Sequence, residues 1–207
     1  MSIYRYIWSD KKQGGRLWQC LRRKAKPYRK RLTTETRGRI NDRVSIHERS
    51  QIVEEKARIG DWEADTIIGQ HHKQAVVTLV ERRTGLLKMK RVTKKSAQQV
   101  SGAMIDLLTP IRLQVKTITS DNGKEFADHK GVKQKIYSGF FFADAYASWQ
   151  RGTNENTNGL IREYLPKGCD FRQVCDDEIR AIENKLNNRP RKRLGFRTPN
   201  QVFYNII

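Results

Sequence analysis

The stretch from Gly60 to Val92 limits the folds open to this chain more than any other. It reads "DWEADTIIG", then "KQAVVTLVERRTG", then "LLKMKRV" after a turn at Thr84-Gly85. The second run is apolar on both faces, and the three together predict consecutive strands in an antiparallel meander. A helix follows: Ser96 with Gln99 three residues on marks its start, and Val100, Ala103, Met104, Leu107 and Leu108 recur at helical spacing. Pro110 ends it. "VKTITSDNG" then reads as a buried strand running into a turn and "GFFFADAY" as a short strand, with helices expected over 153–165, 176–188 and 198–205. The order βββαβ, then αβ and further helices, describes an α/β fold in which a mixed five-stranded sheet is flanked by helices.

Ahead of this pattern the composition changes. "CLRRKAKPYRKRL" and "RGRINDRV" cluster Arg and Lys with few apolar residues, so residues 1–57 are expected to form a basic N-terminal arm and 58–207 the folded core. One or two short helices are expected in the arm, for instance around Arg16 to Lys24. Tyr6, Trp8, Trp18 and Tyr28 are interleaved with the charges, which favours a nucleic-acid-tracking arm over a solubilising tail. The whole chain carries 42 Lys and Arg against 22 Asp and Glu, a formal charge of +20. Such an excess calls for a polyanionic partner, with nucleic acid the first candidate. Three irregularly spaced cysteines, Cys20, Cys169 and Cys175, suit reduced thiols in the cytosol better than a disulfide framework. His71 and His72 are adjacent and no C-x-x-C completes a zinc site. No apolar run approaches the ~18 residues of a membrane span, so a soluble protein is expected.

Three acids stand out. Asp65 lies inside the first expected strand, where aspartate is depleted and costly to bury unpaired. Asp121 sits where the strand "TITS" ends, in a setting that turn chemistry alone would also explain. If these strands lie side by side, two carboxylates meet, and mutual repulsion raises one pKa unless a cation lies between them. Hard oxygen donors without His or Cys point to Mg²⁺ or Mn²⁺. The third acid, Glu155, opens the helix of "RGTNENTNGLIREYL"; at ~100° per residue it shares a face with Asn158, Gly159 and Arg162, opposite Leu160, Ile161 and Tyr164. By itself that face reads as a solvated one with an incidental glutamate. Glu63, two residues before Asp65 on the same strand face, is expected to be a surface charge rather than a supporting acid. Trp62 and Trp149 are expected to pack rather than to stack on bases.

The segments "RIGDWEADTIIG", "VTLVERRTG", "TSDNGKEF", "FFADAYASWQRGTNENTNGLIREYLPKG" and "LNNRPRKRLGFRTP" resemble transposases of the insertion sequence 30 family, in order and in spacing, over nearly all of 58–200. There are 55 residues between Asp65 and Asp121 and 33 between Asp121 and Glu155. The resemblance implies a ribonuclease H-like core of the retroviral integrase, or DDE, type. It implies that Asp65, Asp121 and Glu155 form the catalytic triad and hold two Mg²⁺ (or Mn²⁺) ions, and that Arg162 holds a DNA phosphate. Asn158 would hydrogen-bond backbone or ligand, and Lys124 and Arg151, near the presumed cleft, would contact phosphates. The implied activity is DNA end cleavage and strand transfer by in-line phosphoryl displacement. The implied partners are double-stranded DNA, at the element's ends and at its target, and further copies of the chain on that DNA. The implied location is the bacterial cytoplasm, at the nucleoid, with no membrane. Family members carry helix-turn-helix segments ahead of the core, whereas this chain opens at "MSIYRYIW", which resembles the tail of a recognition helix. A truncated frame or a decayed copy is therefore expected, and an inactive DNA-binding repressor or competitor is the alternative function. A ribonuclease acting on hybrids is a third reading.

Overall fold

The computed structural model describes residues 3–21, 40–70 and 74–206. The chain divides into two compact units, Met1–Glu35 and Thr36–Ile207. In the first, helix α1 (Ile3–Lys12) is followed by a 3-10 turn, Leu17–Cys20. The Lys11 ammonium lies 4.1 Å from the ring centroid of Trp18 and 5.3 Å from that of Trp8, so aromatic and basic side chains do interleave here. Most of the arm's densest charge, residues 22–39, lies outside the described residues, as do His71 and His72.

The second unit is built on five strands: β1 (Asp61–Ile68), β2 (Ala75–Glu81), β3 (Leu87–Val92), β4 (Thr117–Ser120) and β5 (Gly139–Phe142). Their spatial order is β3-β2-β1-β4-β5; the first three form the antiparallel meander, and β4 and β5 continue the sheet in parallel with β1. Parallel pairing needs crossovers, which helices α3 (Ala97–Leu108) and α4 (His129–Ile136) supply. The Ser96 hydroxyl accepts from the Gln99 amide and caps α3.

Side chains alternate across β1. Trp62 and Ala64 join Val77, Leu79, Met104, Leu108, Val132 and Ile136 in the core under α3 and α4. Ile67 joins Val76 and Val80 in the opposite core, closed by Leu160 and Ile161 of α5 (Gly152–Ile161) and by Ile179, Ile182 and Leu186 of α6 (Asp176–Asn187). β2 is buried on both faces because both layers need it. The last helix, α7 (Pro199–Phe203), places Phe203 edge-on to Trp62 at 5.8 Å, so this tryptophan packs as expected. Gly60 sets the entry to β1 at φ +113°; a Cβ there would stand 2.2 Å from the Gln114 carbonyl oxygen beside β4.

Residues 40–57, placed with the arm on composition, pack on the core unit. Ile40, Ile46 and Val53 are buried, Phe142 donates its amide to Val44, and Arg49 donates to the Thr119 hydroxyl at 2.7 Å. The short helix α2 (Gln51–Glu54) belongs to this layer. A few apolar anchors tie a charge-rich segment down, and a composition average hides them.

Candidate active site

Register places the first two acids. In the parallel pair, Asp61 is level with Thr117 and Glu63 with Thr119; two residues beyond this ladder, the same offset sets Asp65, inside β1, level with Asp121, just past the carboxyl end of β4. Ligands of parallel sheets gather at that edge. The Arg151 guanidinium lies 3.5 Å from a carboxylate oxygen of each, bridging Asp65 and Asp121. About a quarter of the Asp65 side chain reaches solvent. Burial pushes its carboxyl above the usual aspartate range; Arg151 opposes this, Asp121 adds to it, the Thr66 amide opposes it and Glu125 adds to it.

Helix α5 supplies the rest of the site, and a buried acid holds it in place. Glu63 is fully buried, not a surface charge: it is paired with Arg82 at 2.6 Å and accepts the Asn154 amide at 2.7 Å, while the Asn154 side chain donates to the Glu63 carbonyl. Burial pushes the Glu63 carboxyl up, against Arg82 and the Asn154 amide, which favour its charged form. Arg82 also donates to Glu54 and to the carbonyls of Val53 and Gln150, so the network ties α2, β1 and the start of α5 together. The sequence signal is the two-residue spacing of Glu63 and Asp65 inside a strand, but the partner is not visible there.

From this anchor, Asn158 reaches the site. Its side-chain amide donates to Asp65 at 2.9 Å and its oxygen accepts from the Thr78 hydroxyl, level with Asp65 on β2. Glu155 is exposed, one turn before Asn158 and on the same face of α5. Among the described residues it makes no hydrogen bond or ion pair, and no group of three His, Cys, Asp or Glu side chains is close enough to hold a metal ion. Asp65 and Asp121 are thus brought together, and Glu155 is adjacent but not joined to them.

The basic residues divide. Arg151 is inside the site, and Lys124 is exposed three residues after Asp121. Arg162 follows α5 half-buried and donates to the carbonyls of Ile68, Leu165 and Pro166 at 2.9, 3.3 and 3.4 Å. Burial lowers its pKa. Orphan carbonyls at the end of a helix and a strand take up a guanidinium whose helical face alone pointed outward. Glu125, which no sequence signal singles out, is buried beside the acids, where it accepts from Thr66 and pairs with Lys95 at 2.6 Å. Trp149, expected to pack, is 75% exposed just before α5.

Two carboxylates at one sheet edge with no nitrogen or sulfur donor are of the chemistry that suits a hard divalent cation, and Arg151 lies 3.5 Å from each. Among the described residues no helix is long and apolar enough to cross a membrane, and all three cysteines are unpaired.

The chain is 50% identical over 207 residues to the transposase for insertion sequence element IS4351 of Bacteroides fragilis, a match to all of this chain and 64% of that protein. It is 38% identical over 211 residues to the transposase for IS1086 of Cupriavidus metallidurans, covering all of this chain and 61% of that one. With a transposase for IS30A of Escherichia coli it shares 38% over 170 residues, 80% of this chain and 44% of the other. The chain therefore spans less than two thirds of the length of each. No protein-family profile matches it. Among solved structures, the catalytic core domain of BIV integrase superposes with a TM-score of 0.55 at 19% identity, over 70% of this chain and 93% of that one. A chain of the simian T-cell lymphotropic virus intasome does so at 0.58 and 14%, over 71% and 55%. The five-stranded sheet and its helices are the ribonuclease H-like fold of these integrase cores.

Proposed function

The chain is related along its whole length to insertion-sequence transposases, and from that premise we propose that its core unit is the catalytic core of a DNA transposase acting by phosphoryl transfer. The observation that carries the reading is the meeting of Asp65, inside β1, and Asp121, just past β4, both against Arg151. Asp65, Asp121 and Glu155 would hold Mg²⁺ or Mn²⁺, two ions by family resemblance, and the bound metal would activate the attacking oxygen and stabilise the leaving oxygen of an in-line displacement. The chain's own residues set the stage for this. Asn158 and the Thr66 amide orient the Asp65 carboxylate, while Arg151 holds both aspartates in place. Glu63, through Asn154, fixes the first turn of α5, the helix that carries Glu155. The basic composition, with Lys124 exposed near Asp121, favours DNA as the partner; by family resemblance that DNA would be the element's ends and target, bound by more than one copy of the chain.

A second reading, a DNA-binding repressor without catalysis, is favoured by one observation: Glu155 stands apart from the two aspartates. One experiment separates them. The protein is incubated with labelled duplex DNA carrying the element's ends, with and without Mg²⁺ or Mn²⁺, and nicked and joined products are resolved. The catalytic reading expects metal-dependent products that disappear in Asp65→Asn, Asp121→Asn and Glu155→Gln while DNA binding persists. Products surviving in Asp65→Asn would refute it, and binding without any products would establish the second reading.

A further inference from the structure

The helix that carries Glu155 has a second polar flank. Thr153, Asn156, Thr157 and Leu160 face away from Asp65 and form one wall of a cavity of about 490 Å³, within the ~300–1,000 Å³ typical of ligand sites. Its other walls supply five cations, Lys56, Arg189, Arg191, Lys192 and Arg193, from two distant segments of the chain. No carboxylate lines it; Glu163, 4.0 Å from Arg189, is the acid at its rim.

Three of these cations are positioned by hydrogen bonds. Lys56 donates to the Thr153 hydroxyl at 3.0 Å. Arg191 donates one edge of its guanidinium to the Leu186 carbonyl and Arg193 donates to the Arg83 carbonyl at 2.7 Å. A guanidinium has five donors, so these tethers fix the planes without exhausting them. The first turn of α5, the positive end of that helix, borders the same space. Burial and then Arg82 lower the pKa of Lys56, with Glu63 and Glu54 opposing; burial and then Arg189 and Arg193 lower that of Arg191, while at Arg193 burial is opposed by Glu81 and Glu63.

We propose that this cavity is a phosphate pocket that holds a backbone phosphodiester of bound DNA, across α5 from the acids and so distinct from the phosphate acted on. Phosphate chemistry follows from five cations with no carboxylate among the lining residues, and a polymer source follows from the cavity's open position on the helix that also borders the active site. This rests on the proposed DNA-acting function and adds a register contact to it: a strand seated here fixes which bond meets Asp65 and Asp121.

The test is the salt dependence of duplex DNA binding by the full chain, measured by fluorescence anisotropy in EDTA. Removing one cation from a bound phosphate makes the slope of log K against log[salt] shallower by about 0.9. Lys192→Gln is expected to lower the slope by about 0.9, and Lys56→Gln/Lys192→Gln by about 1.8. Lys133→Gln/Lys135→Gln, removing equal charge from the exposed face of α4, is expected to leave it unchanged. Thermal unfolding checks that the variants fold, and exposed Lys192 alone carries the test if Lys56→Gln does not. An unchanged slope in folded Lys192→Gln, or an equal decrease from the α4 pair, overturns the pocket. Inorganic pyrophosphate binding that Lys56→Gln abolishes, without any change of DNA slope, overturns it in favour of a free small anion. A shallower slope in a protein that yields no metal-dependent products leaves the pocket standing and sinks the catalytic reading; the reverse result sinks the pocket alone.

Discussion

Replacing Glu63 tests whether the buried network, rather than packing alone, holds helix α5. The Glu63 side chain is 0% exposed and the Arg82 side chain 4%, with 2.6 Å between them. Removing one partner of a buried pair costs about 3–5 kcal/mol, because the other charge is left uncompensated. Arg82 keeps Glu54 at 3.1 Å, a partner whose side chain is 55% exposed, and the carbonyls of Val53 and Gln150. Glu63→Gln also retains an oxygen for the Asn154 amide, which places its cost at the low end, about 3 kcal/mol. Glu63→Ala removes that acceptor as well, and an unsatisfied buried amide adds about 1–3 kcal/mol. For a unit of this size each kcal/mol shifts Tm by about 2–4 °C, so Glu63→Gln is expected to melt about 6–12 °C lower. Urea unfolding with linear extrapolation measures both variants. Glu63→Leu combined with Arg82→Met should be less destabilising than the two single changes added together, since the isolated charge is gone. If Glu63→Gln stays within about 0.5 kcal/mol of the wild type, or the double variant is simply additive, the network does not carry this load.

Arg162→Ala is expected to cost about 1–2 kcal/mol in urea unfolding, through three carbonyls left without their donor, and to leave the salt slope of DNA binding unchanged. A slope shallower by about 0.9 would restore Arg162 as a phosphate ligand. Asp65 has a folded-state pKa raised above its unfolded value, so its contribution to stability is present below the unfolded pKa and lost as pH rises through the folded one. Without metal, Asp65→Asn is therefore expected to melt higher than the wild type at neutral pH, with the gain shrinking as pH falls through the raised pKa toward the ordinary aspartate range. Thermal melts in EDTA across that range decide it, and a melting point lowered equally at all pH values contradicts the assignment.

Much of the fold is legible in the sequence because its signals are local. Ser96 and Gln99 announce the cap they make, Pro110 ends α3 where expected, and the two-faced apolarity of β2 foretells its cover on both sides. The acids are legible as a group through resemblance, and Asp65 also through the oddity of an aspartate inside a strand. The alignment of Asp65 with Asp121 is not, since it depends on the parallel register of β1 and β4, which a crossover helix brings together. The carbonyl bonds of Arg162 are not legible either, because a helical wheel gives the direction of a side chain and not the carbonyl that meets it at the end of β1. Glu63 departs from its expected place at the surface for a related reason: a strand face can be assigned from parity, but whether that face meets water or Arg82 cannot.

The amino-acid order by itself determined the succession of strands and helices, the apolar faces that had to be covered, the excess of positive charge and the acids available for chemistry. These are properties of neighbours a few residues apart, where backbone periodicity and side-chain type suffice. Only the tertiary structure decided which charges are buried in pairs, which arginine stands between the aspartates, and that Lys56, α5 and residues 189–193 enclose one cavity. Those contacts join groups such as Glu63 and Asn154, 91 positions apart, and their free energy is released only once the sheet has closed the chain between them.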